Sequence, residues 1–393
     1  MDINLRHLRL FLAVAKTNSI TLSANECSIS QPAATQAIRN MEAAAGIKLF
    51  NRTKNGTFAT NAGEILKHRA ERAFSLLDPA LNEISKRLKI TLTNTQLKAL
   101  IAVCDAGNFT LAANRLNLAQ PTVHRAITEL EFEAGEPLFL RTAHGILSKK
   151  STLNLAHKAK LAFAELQQAA SELADINGAE VGQIVIGALP LSRSQLIPKT
   201  LVSFRKRRAF IPVQVIDGPY NELLQSLRHG AIDMVLGALR LPIPIDDIEQ
   251  CTLFDDDLVI IASKDHPIYK LRSINFEDLI NYPFIVALKG TPTRNYFNTF
   301  LEGNIKKGNI SLVETASIVL MRELLENSDH LGFVSRLQAL TESKYEKISI
   351  VNYPVKNSSR PIGITTRKGW KPTPAQADFI LSLHEQAEKI SSN

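Results

Sequence analysis

ITLSAN at residues 20–25 returns as FTLAAN at residues 109–114, and the same shift of 89 positions keeps finding matches. Gln31-Pro32 falls on Gln120-Pro121, Ala37-Ile38 on Ala126-Ile127, and Leu49-Phe50-x-Arg52-Thr53 on Leu138-Phe139-x-Arg141-Thr142. The register still holds, without a gap, at His68/His157 and Phe74/Phe163. Solenoid repeats run over roughly 20–50 residues and need at least three copies, so a twofold repeat of this period reads as a duplicated domain.

Within the first copy, Leu5, Leu8, Phe11, Leu12 and Ala15 form a helical stripe over Leu5–Lys16. A polar break at residues 17–19 precedes a short helix, Thr21–Glu26, and a turn leads to Ser30. Ser30 suits an N-cap, Pro32 suits the first helical turn, and Gly46 suits the stop, which predicts a third helix from Gln31 to about Ala45. Ala34, Ala37, Ile38 and Met41 give it an inward face, while Gln31, Thr35, Gln36 and Arg39 face outward. Helix, short turn and helix make the unit whose second helix enters the DNA major groove. Asn55-Gly56 between two extended runs predicts a hairpin wing carrying Arg52 and Lys54, and Asn61-x-x-Glu64 reads as a capping box opening a further helix. The DNA-contact set of copy 1 is therefore Gln31, Ala34, Thr35, Gln36, Arg39, Arg52 and Lys54. A small three-helix bundle used for protein contacts is the plainer alternative, and the basic wing argues against it.

Copy 2 differs in informative places. Ala119 replaces the capping Ser30, and the helix Gln120–Ala134 turns Gln120, Thr122, His124, Arg125 and Thr128 outward. Arg125 suits guanine O6/N7, whereas Gln36 suits adenine. The wing keeps Arg141, with His144-Gly145 replacing Asn-Gly. Glu129, Glu131, Glu133 and Glu136 make the end of this helix acidic. Asp78-Pro79 predicts a break or kink near Leu77 in the helix after copy 1. The stretch after copy 2 has no proline, and Leu153, Ala156, Leu161, Ala164, Leu166, Ala169, Ala170 and Leu173 suit a long helix with a seam for dimerisation.

These residues resemble the N-terminal domain of LysR-type transcriptional regulators. Copy 1 carries the pattern as Leu22–Asn25, Ser30-Gln31-Pro32-Ala33, Ile38, Met41-Glu42, Gly46, Leu49-Phe50-x-Arg52 and Thr60-Asn61-Ala62-Gly63. Copy 2 carries it as Ala112-Ala113, Gln120-Pro121-Thr122, Ile127, Leu130-Glu131, Gly135 and Leu138-Phe139-x-Arg141, and departs from it at Ala119 and at Lys149–Thr152. Ordinary members of the family have one such domain.

From Val181 the pattern alternates strand and helix, which predicts a mainly parallel sheet with helices on both faces. Strands are expected at Gly182–Leu189, Val213–Ile216 and Ile232–Gly237. A second cluster is expected at Leu258–Ala262, Phe284–Val286, Ile310–Glu314 and Gly332–Ser335, with returns at Ile348–Val351 and Ile362–Thr366. GQIVIGALP…LIP and LLQSLRHGAIDMVLGAL resemble the first lobe of a LysR-type effector domain. The resemblance implies a two-lobed α/β domain similar to type 2 periplasmic solute-binding proteins, with its ligand between the lobes. Strand ends and helix starts supply the candidate ligand residues Leu191, Ser192, Arg193, Ser194, Arg240, Thr291, Thr293, Arg294, Thr315 and Ser317. Three arginines and several hydroxyls suit a small polar, anionic effector.

The expected architecture is multidomain: two all-α winged helix-turn-helix domains, then a two-lobed α/β effector domain. Residues 1–62 are copy 1, 63–90 a linker helix kinked near Pro79, 91–150 copy 2, and 151–178 a linker or dimerisation helix. Residues 179–393 are the effector domain, with lobe I at about 179–253 and 346–393 and lobe II at about 254–345. Residues 1–178 carry 21 basic against 15 acidic side chains and the remainder 25 against 23, so the net charge of +8 lies mostly in the repeat. That placement suits a polyanionic partner.

No apolar run approaches the length of a membrane span, and MDINLRHLRLFLAV lacks a signal peptide's apolar core, so a cytoplasmic location is expected. Cys27, Cys104 and Cys251 have no metal-ligand or disulfide spacing; all three are expected as buried, unreactive thiols. Asp255-Asp256-Asp257 reads as a solvated strand edge, and Arg205–Arg208 as a solvated helix face. An enzyme is disfavoured, because no nucleophile–base pair, P-loop or GxGxxG appears, and no metal or cofactor is implied. A solute-binding transport component is disfavoured by the basic repeat. The reading is a sequence-specific DNA-binding regulator controlled by a small effector. Its implied partners are double-stranded DNA, further copies in a dimer or tetramer, and RNA polymerase. In an alternative, one copy only mediates dimerisation.

Overall fold

The computed structural model describes residues 4–142, 145–302, 310–345 and 347–392. They fall into two units, one ending at Gly182 and the other beginning at Gln183. The first unit runs α1 (Leu5–Thr17), α2 (Ile20–Glu26), α3 (Gln31–Ala45), hairpin β1 (Phe50–Thr53) and β2 (Gly56–Ala59), and α4 (Asn61–Ile84). After a short α5 (Leu88–Thr91) the same order recurs. It runs α6 (Asn94–Ala106), α7 (Phe109–Leu116), α8 (Gln120–Ala134), hairpin β3 (Phe139–Thr142) and β4 (Gly145–Ser148), and α9 (Lys150–Ile176).

Capping explains these bounds. Asn4, Ser19, Ser30, Thr60, Thr93 and Asn108 each accept an amide of the helix they precede, whereas Ala119 gives α8 no side-chain cap. Gly46 and Gly135 end α3 and α8 in the left-handed region, at φ 66° and 76°. The cap of α4 is Thr60, whose hydroxyl accepts from Gly63 N at 3.0 Å, and not the Asn61 box expected from the sequence.

Equivalent glutamates hold the two hairpins. Glu42 accepts from Leu49 N and Phe50 N at 3.0 and 3.2 Å; Glu131 accepts from Leu138 N and Phe139 N at 2.8 and 3.3 Å. At the start of α4, a Cβ on Gly63 would stand 2.2 Å from the Leu49 carbonyl oxygen. In copy 2 the matching residue is Thr152, whose hydroxyl donates to the matching carbonyl, Leu138 O, at 2.8 Å.

α4 continues through Pro79 to Ile84 with no break near Leu77, and Asp78 beside the proline is tied to Arg9 of α1. Much of the apolar seam of α9, Ala156, Leu166, Ala169 and Leu173, is buried within the chain, where α4 packs against α9, while Leu153 of the same seam is exposed. From Arg72 to Glu83 on α4, the partner moves from Glu165 back to Asn154 on α9, so the two helices run antiparallel. One continuous buried cluster contains Phe11, Ile38 and Leu49 of the first copy and Phe74 and Leu77 of α4. It also contains Leu97, Ile127 and Leu138 of the second copy and Leu166 of α9. The two copies therefore share a core, rather than hanging as separate beads on a linker.

The second unit contains two five-stranded sheets. The first is built from β5 (Ile184–Ala188), β6 (Val213–Asp217), β7 (Met234–Ala238), β8 (Ile248–Asp256) and, after the second sheet is complete, the strand Arg360–Arg367. Between them lie α10 (Pro190–Ser194), α11 (Leu196–Arg205) and α12 (Tyr220–Arg228). The second sheet takes β9 (Leu258–Ser263), β10 (Phe284–Val286), β11 (Leu312–Glu314), β12 (Leu331–Ser335) and β13 (Ile348–Ile350). Its helices are α13 (Phe276–Leu279), α14 (Pro292–Glu302), α15 (Ile318–Glu326) and α16 (Arg336–Glu342). The returning strand is β14, and α17 (Pro374–Ser391) follows it.

The strand orders are β6-β5-β7-β14-β8 and β11-β10-β12-β9-β13. Neither sheet is mainly parallel. β14 runs antiparallel to β7 and β8, and β9 runs antiparallel to β12 and β13, because those strands carry the chain between sheets. The crossings also move the expected lobe limits: β8 stays in the first sheet to Asp256, and β13 belongs to the second.

Several side chains differ from expectation. Cys251 is exposed; Cys27 and Cys104 are half-buried, and burial pushes the Cys104 thiol up to about 11. Arg207 and Arg208 pair with Glu385 and Asp378, which fastens the end of α11 to α17. Among the described residues no helix is long and apolar enough to cross a membrane.

Candidate DNA-reading faces and effector site

In α3, Gln31, Gln36 and Arg39 are exposed and Thr35 is half-buried. Ala34 is fully buried with Ala37 and Ile38, so helical spacing puts it in the core and it leaves the DNA-contact set. Gln36 Nε2 donates to Asn40 Oδ1 at 2.8 Å. Arg52 and Lys54 are exposed on the hairpin.

In α8, Gln120, Thr122, Arg125 and Thr128 are exposed. His124 is half-buried and rests on Phe109 with ring centroids 5.1 Å apart, so it belongs partly to its own head's packing. Thr128 Oγ1 donates to His124 O at 3.0 Å. Arg125 donates to Glu129 at 2.8 Å with its side chain 81% exposed. An exposed pair of this kind is worth about 0–1 kcal/mol, so a base edge can displace Glu129. The acidic end of the helix is taken up by the fold: Glu131 anchors the hairpin, Glu133 pairs with Arg87 and Glu136 with Lys149. Arg141 stands in β3, but its side chain and His144 lie outside the described residues.

Most of the expected effector residues serve the second unit's own structure. Leu191 and Ser192 are buried, and the Ser192 hydroxyl donates to Leu189 O and Leu236 O. Arg193 makes a surface pair with Asp217, beside a half-buried Ser194. Arg294 is buried against Glu314, Asn298 and Ala287 O. Thr291 caps the first turn of α14, Ser317 caps α15, and Thr315 accepts from Ser317 N in the turn before it.

Arg240 and Thr293 remain, and the structure adds partners the sequence did not indicate. β14 pairs with β7 through Ile362↔Ala238, and Leu239 N donates to Pro361 O. Continuing that register sets Arg240 opposite Arg360, and Arg360 is itself opposite Asp256 of β8. Directly opposed residues share a face, so the three form a row across neighbouring strand ends. Asp256 is therefore no solvated edge residue. It is buried, accepts from Leu337 N at 3.1 Å, and lies 3.4 Å from Arg360 Nη2. Arg360 also donates to Thr293 of α14.

Arg240 lies over the Tyr220 ring, 4.3 Å from its centroid. Three buried atoms here, Tyr220 Oη, Arg240 Nη1 and Arg360 Nε, have no hydrogen-bond partner among the described residues. Burial raises the Tyr220 phenol, against the pull of Arg240. Burial lowers Arg240, and the nearby Arg360 charge adds to that. Burial also lowers Arg360 and raises Asp256, while their mutual attraction opposes both shifts. Two guanidinium groups, one buried and one half-buried, against one carboxylate leave an excess of positive charge with buried, unused donors. A small anion answers both deficits.

Two helix-turn-helix segments and a two-sheet ligand-binding unit define the class: a DNA-binding transcriptional regulator with an effector-binding domain. Residues 177–388 match the LysR substrate binding domain. Residues 5–64 and 94–149 match the bacterial regulatory helix-turn-helix protein, lysR family. The chain belongs to the LysR family. It is 28% identical over 385 residues to the HTH-type transcriptional regulator GalR of Pseudomonas putida, covering 97% of each chain. It is 24% identical over 295 residues to the HTH-type transcriptional regulator PcaQ of Agrobacterium fabrum, covering 75% of this chain and 94% of that one. Among solved structures, a full-length OxyR variant from Pseudomonas aeruginosa shares the fold. Its TM-score is 0.53 at 20% identity, over 75% of this chain and 94% of that one.

Proposed function

We propose that this LysR-type regulator carries two winged helix-turn-helix heads, the second a duplicate of the first, and that both read double-stranded DNA. The contact set is Gln31, Thr35, Gln36, Arg39, Arg52 and Lys54 from copy 1, and Gln120, Thr122, Arg125, Thr128 and Arg141 from copy 2. The observation that carries this reading is the division of faces on α3 and α8: apolar residues of each enter the shared core, while polar and cationic ones stand in solvent. A second reading, in which copy 2 serves only to pair with copy 1, draws on the uncapped Ala119 and on Arg125 being held by Glu129.

The effector, on the same reading, is a small carboxylate-like anion bound by Arg240 and Arg360, with Tyr220 and Thr293 beside them. The two sheets act as the lobes of a domain like the type 2 periplasmic binding proteins, and no chemistry is performed on the ligand. Ligand binding shifts the balance between arrangements of the protein on DNA. Assembly into a homo-oligomer, contact with RNA polymerase and a cytoplasmic setting belong to the same proposal.

The test is a thermal-shift and calorimetric screen of the full chain against small carboxylates and their uncharged amides. The expected result is stabilisation by acids only, lost in Arg240→Met and Arg360→Met. Amides binding as well as acids, or unchanged binding in both variants, would overturn the anion assignment.

A further inference from the structure

Copies related by a shift of 89 residues sit on helices that cross antiparallel, and this has a geometric consequence. Two residues beyond Arg72 on α4 lies Phe74; two residues before its partner Glu165 on α9 lies Phe163. Phe74 and Phe163 are repeat mates, so the helices cross where equivalent positions are level. A second pair of repeat mates meets at the other end of the heads, where Leu5 N donates to Asn94 Oδ1 at 3.2 Å across a separation of 89 residues. Modules of like fold on antiparallel helices, with equivalent residues meeting each other, are related by an approximate twofold rotation. The two DNA-facing helices α3 and α8 are therefore inverted copies about that axis.

We propose that α4 and α9 join the two heads into an intramolecular pair, so that one chain reads both arms of an inverted DNA repeat whose half-sites differ. This rests on the reading of both heads as DNA binders.

The charges at the crossing favour pairing of α4 with α9 over pairing of either helix with its own kind. Arg69, with its side chain 5% exposed, donates to Glu165 at 2.8 Å, Gln168 at 2.7 Å and Glu172 at 2.5 Å. Arg72 donates to the same Glu165 at 2.8 Å. The Arg72–Glu165 pair is not repeated by symmetry, because the repeat mate of Arg72 is Leu161 and that of Glu165 is Leu76, whereas the mates of Arg69 and Glu172 are Lys158 and Glu83. In the same antiparallel register, an α4–α4 pair would set Arg72 against Leu76, and an α9–α9 pair would set Glu165 against Leu161. Either arrangement leaves one member of that ion pair against a leucine, whereas the mixed pair satisfies both. The mixed partner is on the same chain, so it is present at high effective concentration.

The difference between heads then becomes information. Gln36 on α3 suits adenine and Arg125 on α8 suits guanine, so the two arms of the repeat are not alike and the chain sits on DNA in one direction.

Selection of random-sequence duplexes by the full chain tests this. The expected product is an inverted repeat with unlike halves. Gln36→Ala weakens preference in one half only, by about tenfold, and Arg125→Ala does so in the other. A symmetric repeat, with both arms answering to a single substitution, would overturn the intrachain pair and leave DNA reading intact. No enriched sequence would overturn the DNA reading itself. A chain carrying C27A, C104A and C251A with Glu83→Cys and Asn154→Cys gives an independent readout. A short bismaleimide should close it into a looped monomer, and a covalent dimer would contradict the pairing.

Discussion

The two heads reach one fold by different chemistry at equivalent places. Copy 1 caps α3 with the Ser30 hydroxyl, which accepts from Ala33 N, while in copy 2 the matching Thr122 N turns to the Ala119 carbonyl and α8 has no side-chain cap. Copy 1 lets α4 start against the Leu49 carbonyl by having no side chain at Gly63; copy 2 hydrogen-bonds the matching carbonyl with Thr152. Yet both keep the same glutamate, Glu42 or Glu131, on the hairpin amides. What is held constant is the placement of the hairpin against the helix. The cap and the helix start are free to vary as long as the backbone path survives. The residues proposed to read bases, Gln36 and Arg125, vary as well.

The comparison can be broken first at the crossing of α4 and α9. Arg69→Ala leaves Glu165 and Glu172 in a buried setting with one cation fewer, which should cost about 3–5 kcal/mol. Urea unfolding of the full chain, followed by probes in each unit, should show the loss in the first unit. Arg69→Met tests the charge separately from the volume, and an unchanged midpoint in both variants would remove the ion network from the account.

Helix starts come next. Gly63→Ala pushes a Cβ into the Leu49 carbonyl and should cost about 1–3 kcal/mol. Thr152→Ala only removes a hydroxyl, and should cost about 1 kcal/mol. Equal losses at the two sites would mean that the helix starts are interchangeable. The smallest effects are at the caps. Ser30→Ala should destabilise by about 1 kcal/mol and Ala119→Ser should stabilise by a similar amount, read from the same unfolding curves.

Much of the first unit was legible locally. Ser30, Pro32 and Gly46 bound a helix by chemistry within a few residues, and the apolar spacing of Ala37, Ile38 and Met41 states which face is inside. Ala34 obeyed that spacing, and its DNA assignment failed because it was also counted outside. The pairing of α4 with α9 was not legible, because an apolar seam on one helix names no partner. The same limit held in the second unit. Strand and helix alternation could be read, but the register that sets Arg360 beside Arg240 and Asp256 joins residues more than a hundred positions apart. Asp256 looked solvated because its partner was distant in sequence. Pro79 allowed a break or a kink, and of the two the break does not occur: α4 runs on through it to Ile84, packed on α9 and α1.

The most direct test of the central claim is a count of half-sites protected per bound chain, from hydroxyl-radical footprints on the selected duplex combined with the mass of the complex. An intrachain pair of heads protects two half-sites for each chain, whatever the oligomer. One half-site for each chain would contradict it.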